Sequence, residues 1–149
     1  MQDFVGSDGD TVKLLRECDA GVKMGVESID DVLDNVKDAT FHDLLSVCKY
    51  EHQKLGAELG ALLDEHSDSG KNPNPVAKSM SWMKTNAKLL ADPSDKTIAD
   101  LMTDGCNMGV KSLSRYINQY TAADEKSKDI AERLVDIELQ LTDDIRKYL

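Results

Sequence analysis

Apolar residues recur at steps of three and four along most of the chain, with polar residues between them. That spacing lines one face of an α-helix, and no segment shows the strict alternation of a half-buried strand. The pattern therefore predicts an all-α protein. The predicted helices cover about residues 10–37 (A), 40–66 (B), 75–91 (a crossover helix), 93–120 (C) and 122–149 (D).

Short polar residues predict where three of these helices begin. Asp8 or Asp10 is expected to cap helix A, and capping-box sequences that start at Thr40 and Thr121 are expected to open helices B and D. Only a few residues separate helix A from helix B, so we expect these two helices to form an antiparallel hairpin.

The segment SDSGKNPNP after helix B is the clearest loop in the sequence, because glycine and proline interrupt helices. Asn74 followed by Pro75 predicts the start of the crossover helix. The sequence Asp92-Pro93 predicts its end and the beginning of helix C. We expect the whole segment to be a connection within one domain that spans residues 1–149.

An internal repeat relates the two halves of the chain. The hexapeptide MGVESI at residues 24–29 matches MGVKSL at residues 108–113. A slightly larger offset in the second half of each unit pairs His52 with Glu138. Duplicated helical hairpins joined by a long crossover predict a four-helix bundle with approximate twofold symmetry.

Glycines repeat at equivalent positions on the inward faces of helices A and C. Because glycine inside a helix costs about 1 kcal/mol relative to alanine, their symmetric placement predicts a compensating gain. We expect that gain to be close contact between helices A and C, and the alternative is room for a small molecule in the bundle core. The glycines are Gly21, Gly25, Gly105 and Gly109.

Composition narrows the functional classes. The chain has 18 Lys and Arg against 28 Asp and Glu, a formal net charge of -10, and no basic run. Such a surface should repel nucleic acid and anionic lipid, and no apolar stretch approaches the roughly 20 residues that a membrane-spanning helix needs. We expect the first ten residues, which lack the basic and apolar parts of a signal peptide, to be a disordered lead.

The cysteines indicate a reducing compartment. Cys18, Cys48 and Cys106 are widely spaced and odd in number, which argues against a disulfide framework or a cysteine-based zinc site. We therefore expect reduced thiols in the core of a cytoplasmic protein.

The two helical hairpins, their duplicated pattern and the amphipathic crossover helix NPVAKSMSWMKTNAKLL resemble the ferritin-like superfamily, which contains ferritins, bacterioferritins and rubrerythrins, and in particular its small bacterial members. The resemblance covers nearly the whole chain and implies a ferritin-like four-helix bundle. In the metal-binding members, helices A and C each place one Glu in the core, and helices B and D each carry Glu-x-x-His.

This sequence departs from that di-iron pattern. Val22 and Cys106 occupy the inward positions on helices A and C, and Glu27 is expected to face solvent, at about 160° from the centre of the apolar stripe. On helices B and D, Lys54 and Leu141 stand where the histidines would lie. We therefore expect no cofactor, and we carry over none of the iron chemistry.

A polar group remains at matching positions of helices B and D. His52 lies within the stripe of helix B, and Glu138 lies on the flank of the stripe of helix D. We expect a buried hydrogen-bonded pair that fixes the register of the helices, because buried polar groups normally pair. The alternative is a single-metal site in which Glu51 and Cys106 join them.

The crossover helix carries apolar side chains at helical spacing. A methionine-rich stripe of this kind usually covers a core, and we expect the same here. The alternative is a partner-binding face that includes Met80, Met83 and the off-stripe Trp82. The stripe comprises Val76, Met80, Met83, Ala87 and Leu90.

These features favour a protein without catalytic activity that acts as an interaction or structural module, binding a second copy or another protein. The alternatives are a metal-binding or redox protein with a degenerate site, and a small-molecule carrier. The acidic excess is expected to be solvated, and on helix A it comprises Asp19, Glu27, Asp30, Asp31 and Asp34.

Overall fold

The structure, a computed structural model, describes residues 7–149, and their side chains from residue 9 onward. Every regular element in this range is helical, which confirms the all-α prediction. The helices are α1 (Ser7–Leu33), α2 (Ala39–Glu65), α3 (Pro75–Ala91), α4 (Asp95–Gln119) and α5 (Glu125–Ile145), with a 3₁₀ turn (Arg146–Tyr148) after α5. They correspond to A, B, the crossover helix, C and D. Of the predicted disordered lead, residues 1–6 lie outside the described residues, and residues 7–10 are helical.

Four long helices surround the core. α1 packs against α2 and α4, and α5 completes the ring by packing against the same two helices. The backbone amides of Lys37 and Asp38 donate to the Asp95 carboxylate at 2.8 and 2.9 Å, so the end of α1 lies beside the start of α4. At the opposite end, the Ala122 amide donates to Asp10 Oδ2 at 3.0 Å. α1 and α4 are therefore antiparallel, and α3 runs along the outside of this pair.

The core contains two apolar clusters, one toward each end of the bundle. Both are built from residues of α1, α2, α4 and α5. The cluster near the start of α1 includes Leu14, Leu59, Leu113 and Leu134. The cluster near the end of α1 includes Ile29, Phe41, Ile98 and Leu141. A layer of polar residues and glycines separates the two clusters.

The capping boxes predicted at Thr40 and Thr121 are wrong. α2 is capped by Asp38 and α5 by Asp124, and each carboxylate accepts a hydrogen bond from the amide three residues later, at 2.9 and 2.8 Å. A capping side chain must belong to the residue directly before the first helical residue. Thr40 already lies inside α2, and Thr121 lies in the turn that precedes Asp124.

The other predicted helix starts give a mixed result. Asn74 caps α3 as predicted, and its side chain accepts from two amides of the first turn. α4 is capped by Ser94, so it begins slightly later than the Asp92-Pro93 sequence predicts. Asp10 lies inside α1, where its carboxylate binds the loop before α5 instead of capping a helix.

Asp19 is buried beneath the loop that leads to α3, so the prediction of a solvated side chain is wrong. Its Oδ2 atom accepts hydrogen bonds from Lys23 Nζ at 2.8 Å and from Lys71 N at 3.0 Å. Gly70 permits this approach, because it adopts a φ of 89° and a Cβ atom there would clash with the Asp19 carboxylate. Asp30 and Asp34 are exposed, as predicted.

Replacing the observed cap should destabilise the bundle, whereas replacing the residue that the capping-box pattern favours should not. We expect Asp124→Ala to lower the free energy of unfolding by about 0.5–2 kcal/mol, because it leaves a first-turn amide without its acceptor. Thr121→Ala should change it by less than about 0.5 kcal/mol. Urea unfolding followed by circular dichroism measures both. Equal losses in the two variants would contradict the assignment of the cap.

Candidate functional site

The two apolar clusters are separated by a polar layer, which we define as Gly25, His52, Gly109 and Glu138. Each residue comes from a different helix of the ring. The His52 side chain is 1% exposed and the Glu138 side chain is 13% exposed. The structure thus brings together the two polar residues that the internal repeat places at equivalent positions.

His52 forms hydrogen bonds through both ring nitrogens. Nδ1 lies 2.8 Å from the Cys48 carbonyl oxygen, which can only accept, so Nδ1 carries a proton. Nε2 lies 2.6 Å from Glu138 Oε1, a short separation typical of a charged hydrogen bond. Burial lowers the pKa of His52, but its interactions with the side chains of Cys48 and Glu138 outweigh burial and raise the pKa to about 10. At neutral pH the pair is therefore a buried imidazolium that donates to a carboxylate.

The glycines of the polar layer make room for this pair. A Cβ atom on Gly25 would lie 2.6 Å from His52 Nε2, closer than van der Waals contact allows. A Cβ atom on Gly109 would lie 3.3 Å from Glu138 Oε2. Each glycine therefore accommodates the polar side chain of its own hairpin.

This arrangement changes the interpretation of the repeated glycines. The prediction of contact between helices A and C fails at Gly105, which is exposed: among the described residues, no packed neighbour lies within 4 Å of where a Cβ atom would be. A Cβ atom on Gly21 would lie at ordinary contact distances from Leu134 of α5, at 3.6 Å, and from Leu113 of helix C, at 4.0 Å, so a contact with helix C is present there. The space beside Gly25 and Gly109 is filled by the polar pair, so the carrier cavity expected beside these glycines is already occupied by side chains.

The geometry does not support the alternative of a single-metal site built from His52, Glu138, Glu51 and Cys106. Glu51 is exposed and lines a groove of ≈ 190 Å³ between α2 and α5, outside the core. Cys106 is buried and interacts with Glu138, but its neighbours do not complete a coordination shell. Across the side chains that the structure describes, no three His, Cys, Asp or Glu groups are arranged to hold a metal ion. What this geometry supports is charge pairing within the core.

The cysteines are buried and carry free thiols, in agreement with the predicted core positions. Burial and the neighbouring Glu138 charge raise the pKa of Cys106. Burial, together with the charges of Glu17 and Asp19, raises the pKa of Cys18 to about 12. Because the thiolate is the reactive form, neither residue is suited to act as a nucleophile at neutral pH.

α3 presents its apolar stripe to solvent, so the prediction that this helix covers the core is wrong. None of its side chains is buried, and Met80 and Leu90 are 66% and 89% exposed. The opposite side of the helix carries the half-buried Ser81, Thr85 and Leu89. We call the outward stripe the α3 seam, and it comprises Val76, Met80, Met83, Ala87 and Leu90.

Lysines attach α3 to the ring. Lys78 pairs with Glu27 of α1 at 2.9 Å. On the other flank, Lys84 and Lys88 pair with Asp104 and Asp100 of α4, at 3.7 and 3.4 Å. The lysines therefore flank the half-buried side of α3 that faces the bundle, and the apolar stripe lies outward.

A groove of ≈ 540 Å³ runs between α1 and α3, and we call it the acidic groove. It is lined by Glu27, Asp30, Asp31, Lys78, Ser79, Trp82 and Met83. Glu27 is only partly solvated: Oε1 pairs with Lys78, whereas Oε2 is shielded from water without a hydrogen-bond partner among the described residues. Partial burial and the charges of Glu27 and Asp30 raise the pKa of Asp31. The groove therefore has an excess of negative charge.

Sequence reasoning identifies Met80, Trp82 and Met83 but misses the carboxylates beside them. The signal that could have found the groove is the distribution of charge. Every charged residue of α3 is a lysine, whereas the last part of α1, residues 27–33, carries only acidic charges. Opposite charges on neighbouring helices predict that the two charged faces meet.

Removing the His52 charge should make stability less dependent on pH. His52 has a pKa of 6.5 as a free side chain and about 10 in the folded protein, so its contribution is fully present below pH 6.5 and disappears as the pH rises through 10. We expect His52→Gln, which can still donate to Glu138, to lower the free energy of unfolding by about 1–3 kcal/mol near pH 6.5. Urea unfolding of both proteins across the range should show the difference shrinking. A constant difference would mean that His52 contributes only packing.

Two glycine substitutions should have opposite effects. Gly25→Ala places a methyl group against the His52 ring and should lower the free energy of unfolding by about 1–3 kcal/mol. Gly105→Ala meets open space, so the better helix propensity of alanine should raise it by up to about 1 kcal/mol. Thermal unfolding measures both variants. Stabilisation by Gly25→Ala would contradict the role assigned to this glycine.

The chain was compared with protein-family models, with curated proteins and with solved structures, and none of them matches. Within residues 7–149, no helix combines the length and apolarity needed to cross a membrane.

Proposed function

We propose that this protein is an interaction module whose α3 seam binds an apolar helix of another protein. The observation that carries this proposal is the orientation of α3, with lysines toward the bundle and the apolar stripe outward. An amphipathic helix of a folded protein normally buries its apolar side. Here that side has no cover in the described chain, and large exposed apolar patches commonly mark interaction sites.

The spacing of the α3 seam suits a helical partner. Its residues follow one another at steps of four, three, four and three, the repeat with which two helices pack along a common line. Met80 and Met83 lie at the centre, and flexible methionine side chains adapt to the shape of a partner. Helix-in-groove recognition uses apolar anchors at this spacing.

The charge of the protein favours another protein over a second copy as the occupant. The net charge is -10, and acidic residues of α1 and α4 flank the helix on both sides. Two copies that met through α3 would bring these acidic surfaces close together, and such repulsion opposes association. A partner without this acidic surface avoids that cost.

The interface should be small and the complex reversible. α3 has 17 residues, so it is about 25 Å long at 1.5 Å per residue. Contact along one helix of this length buries less than the roughly 1,600 Å² of a standard interface, which places the complex among transient ones. The core and the polar layer would then serve as the scaffold that holds α3.

We also propose that the bundle is ferritin-like, acts without catalysis and resides in the reducing cytoplasm. Two antiparallel hairpins joined by a crossover along the outside of the ring support this assignment. At the positions where the resemblance places the ligands, this chain has Val22 and Cys106 on helices A and C, and Lys54 and Leu141 in place of the histidines. Three free thiols agree with a reducing compartment.

A synthetic helical peptide with leucine at the a and d positions of three heptads, and glutamine and alanine elsewhere, should bind the seam. Trp82 is the only tryptophan and is 56% exposed beside the seam, so its emission should shift to shorter wavelength on binding. In the double variant Met80→Gln, Met83→Gln the dissociation constant should rise at least about tenfold, the equivalent of 1.4 kcal/mol. Because both methionines are exposed, stability should change by less than about 0.5 kcal/mol.

The control is Val47→Gln with Leu139→Gln, which removes two exposed apolar side chains from α2 and α5. Binding by the control should equal wild type, and a peptide of the same composition in scrambled order should not bind. Absence of binding by wild type, or equal binding by the seam variant, would contradict the proposal. Sedimentation of wild type as a dimer that the methionine substitutions dissociate would identify a second copy as the occupant instead.

A further inference from the structure

The acidic groove adjoins the α3 seam along one edge. Met83 belongs to both. Trp82, which precedes Met83 in the sequence, lines the groove on the flank of α3 that faces α1. In paired helices, the residues that flank the apolar line reach the flank of the partner helix. A helix lying on the seam would therefore place its own flanking side chains at the mouth of the acidic groove.

The charge of the groove indicates which side chains fit there. Among the described residues, Lys78 pairs with Glu27 and Lys49 pairs with Asp30, whereas Asp31 has no ion pair. The shielded Glu27 Oε2 atom also has no donor in this part of the chain. Asp31 is exposed at the wall of the groove, so an incoming cation with N–H groups would supply the partner that this carboxylate lacks.

Trp82 adds a surface that recognises cations independently of the carboxylates. Its indole lines the acidic groove and is about half exposed. An ammonium or guanidinium group over an indole face is attracted by the negative face of the ring. Carboxylates on one wall and an aromatic ring on the other form a combination that favours Lys or Arg over neutral and acidic side chains.

From these features we infer that the segment bound by the seam is a basic amphipathic helix, with leucine-like residues on the α3 seam and a Lys or Arg in the acidic groove. This inference depends on the proposed function and names the chemistry of the partner. The helix in this chain that has such a composition is α3 itself, and its lysines are already paired with α1 and α4. A second copy therefore offers no free basic helix for the groove within the range that the structure describes.

The test compares two peptides with leucine at the a and d positions, one with lysine and one with glutamate at the e and g positions. Binding is followed by Trp82 emission at low ionic strength. Wild type should bind the lysine peptide at least about tenfold more tightly than the glutamate peptide, and added salt should reduce the difference. Met80→Gln with Met83→Gln should weaken binding of both peptides.

Neutralising the groove should remove the preference for lysine. Glu27→Gln with Asp31→Asn should reduce the ratio of the two affinities by about fivefold to tenfold, as expected for two exposed charge pairs. The matched control, Glu132→Gln with Asp136→Asn, removes the same charge from exposed positions of α5 and should keep the ratio. Because Glu27 also holds Lys78, Asp31→Asn alone is a second variant that leaves α3 attached, and it should reduce the ratio to a smaller extent.

The outcomes distinguish failure of the basic partner from failure of the α3 seam as a docking surface. Equal binding of the two peptides, with both sensitive to the methionine substitutions, would overturn the basic partner and leave the seam as a docking surface. If the control Glu132→Gln with Asp136→Asn reduces the ratio of the two affinities as much as the groove variant does, the preference depends only on net charge. That result would also overturn the inference of a basic partner. If neither the lysine peptide nor the glutamate peptide binds wild type, the proposed function itself is overturned.

Discussion

The structure depends on the ion pair between His52 and Glu138. Two charged side chains lie at the middle of an otherwise apolar core, each beside a glycine that leaves room for it. Sliding α2 or α5 by one turn would leave a buried charge without its partner, which typically costs about 3–5 kcal/mol. A well-packed apolar pair could supply as much stability, so the particular contribution of this pair is to fix how the two hairpins meet.

The pair also marks a difference between the two halves of the sequence repeat. The internal repeat of the sequence pairs His52 with Glu138, and the structure joins the two side chains by a hydrogen bond between α2 and α5. Strict symmetry would place two imidazolium groups or two carboxylates face to face there, and like charges that close disfavour ionisation. One histidine and one glutamate remove that repulsion, while the glycine at position 25 and its equivalent at 109 remain the same.

The sequence predicts the helices and the polar pair because both follow from periodicity. An apolar stripe fixes which residues point inward, and His52 within such a stripe requires a partner at the same level. Periodicity does not distinguish Asp38 from Thr40 as a cap, because either can accept from a first-turn amide. It also does not show that a loop covers Asp19, since that contact joins segments about fifty residues apart in sequence.

The orientation of α3 cannot be predicted from the spacing of its apolar residues, because a stripe has the same spacing whether it faces the bundle or solvent. The four-helix ring supplies the buried core, against which α3 packs Leu89, and the ring surface flanking α3 carries Glu27, Asp100 and Asp104. Laying the apolar stripe on these carboxylates would remove them from water without partners, at a cost of several kcal/mol for each ion. Leaving one apolar side chain exposed forgoes only about 1.5–3 kcal/mol. Pairing with the carboxylates of the ring therefore fixes the lysines of α3 beside α1 and α4, and the exposed α3 seam follows from the negative charge of that surface.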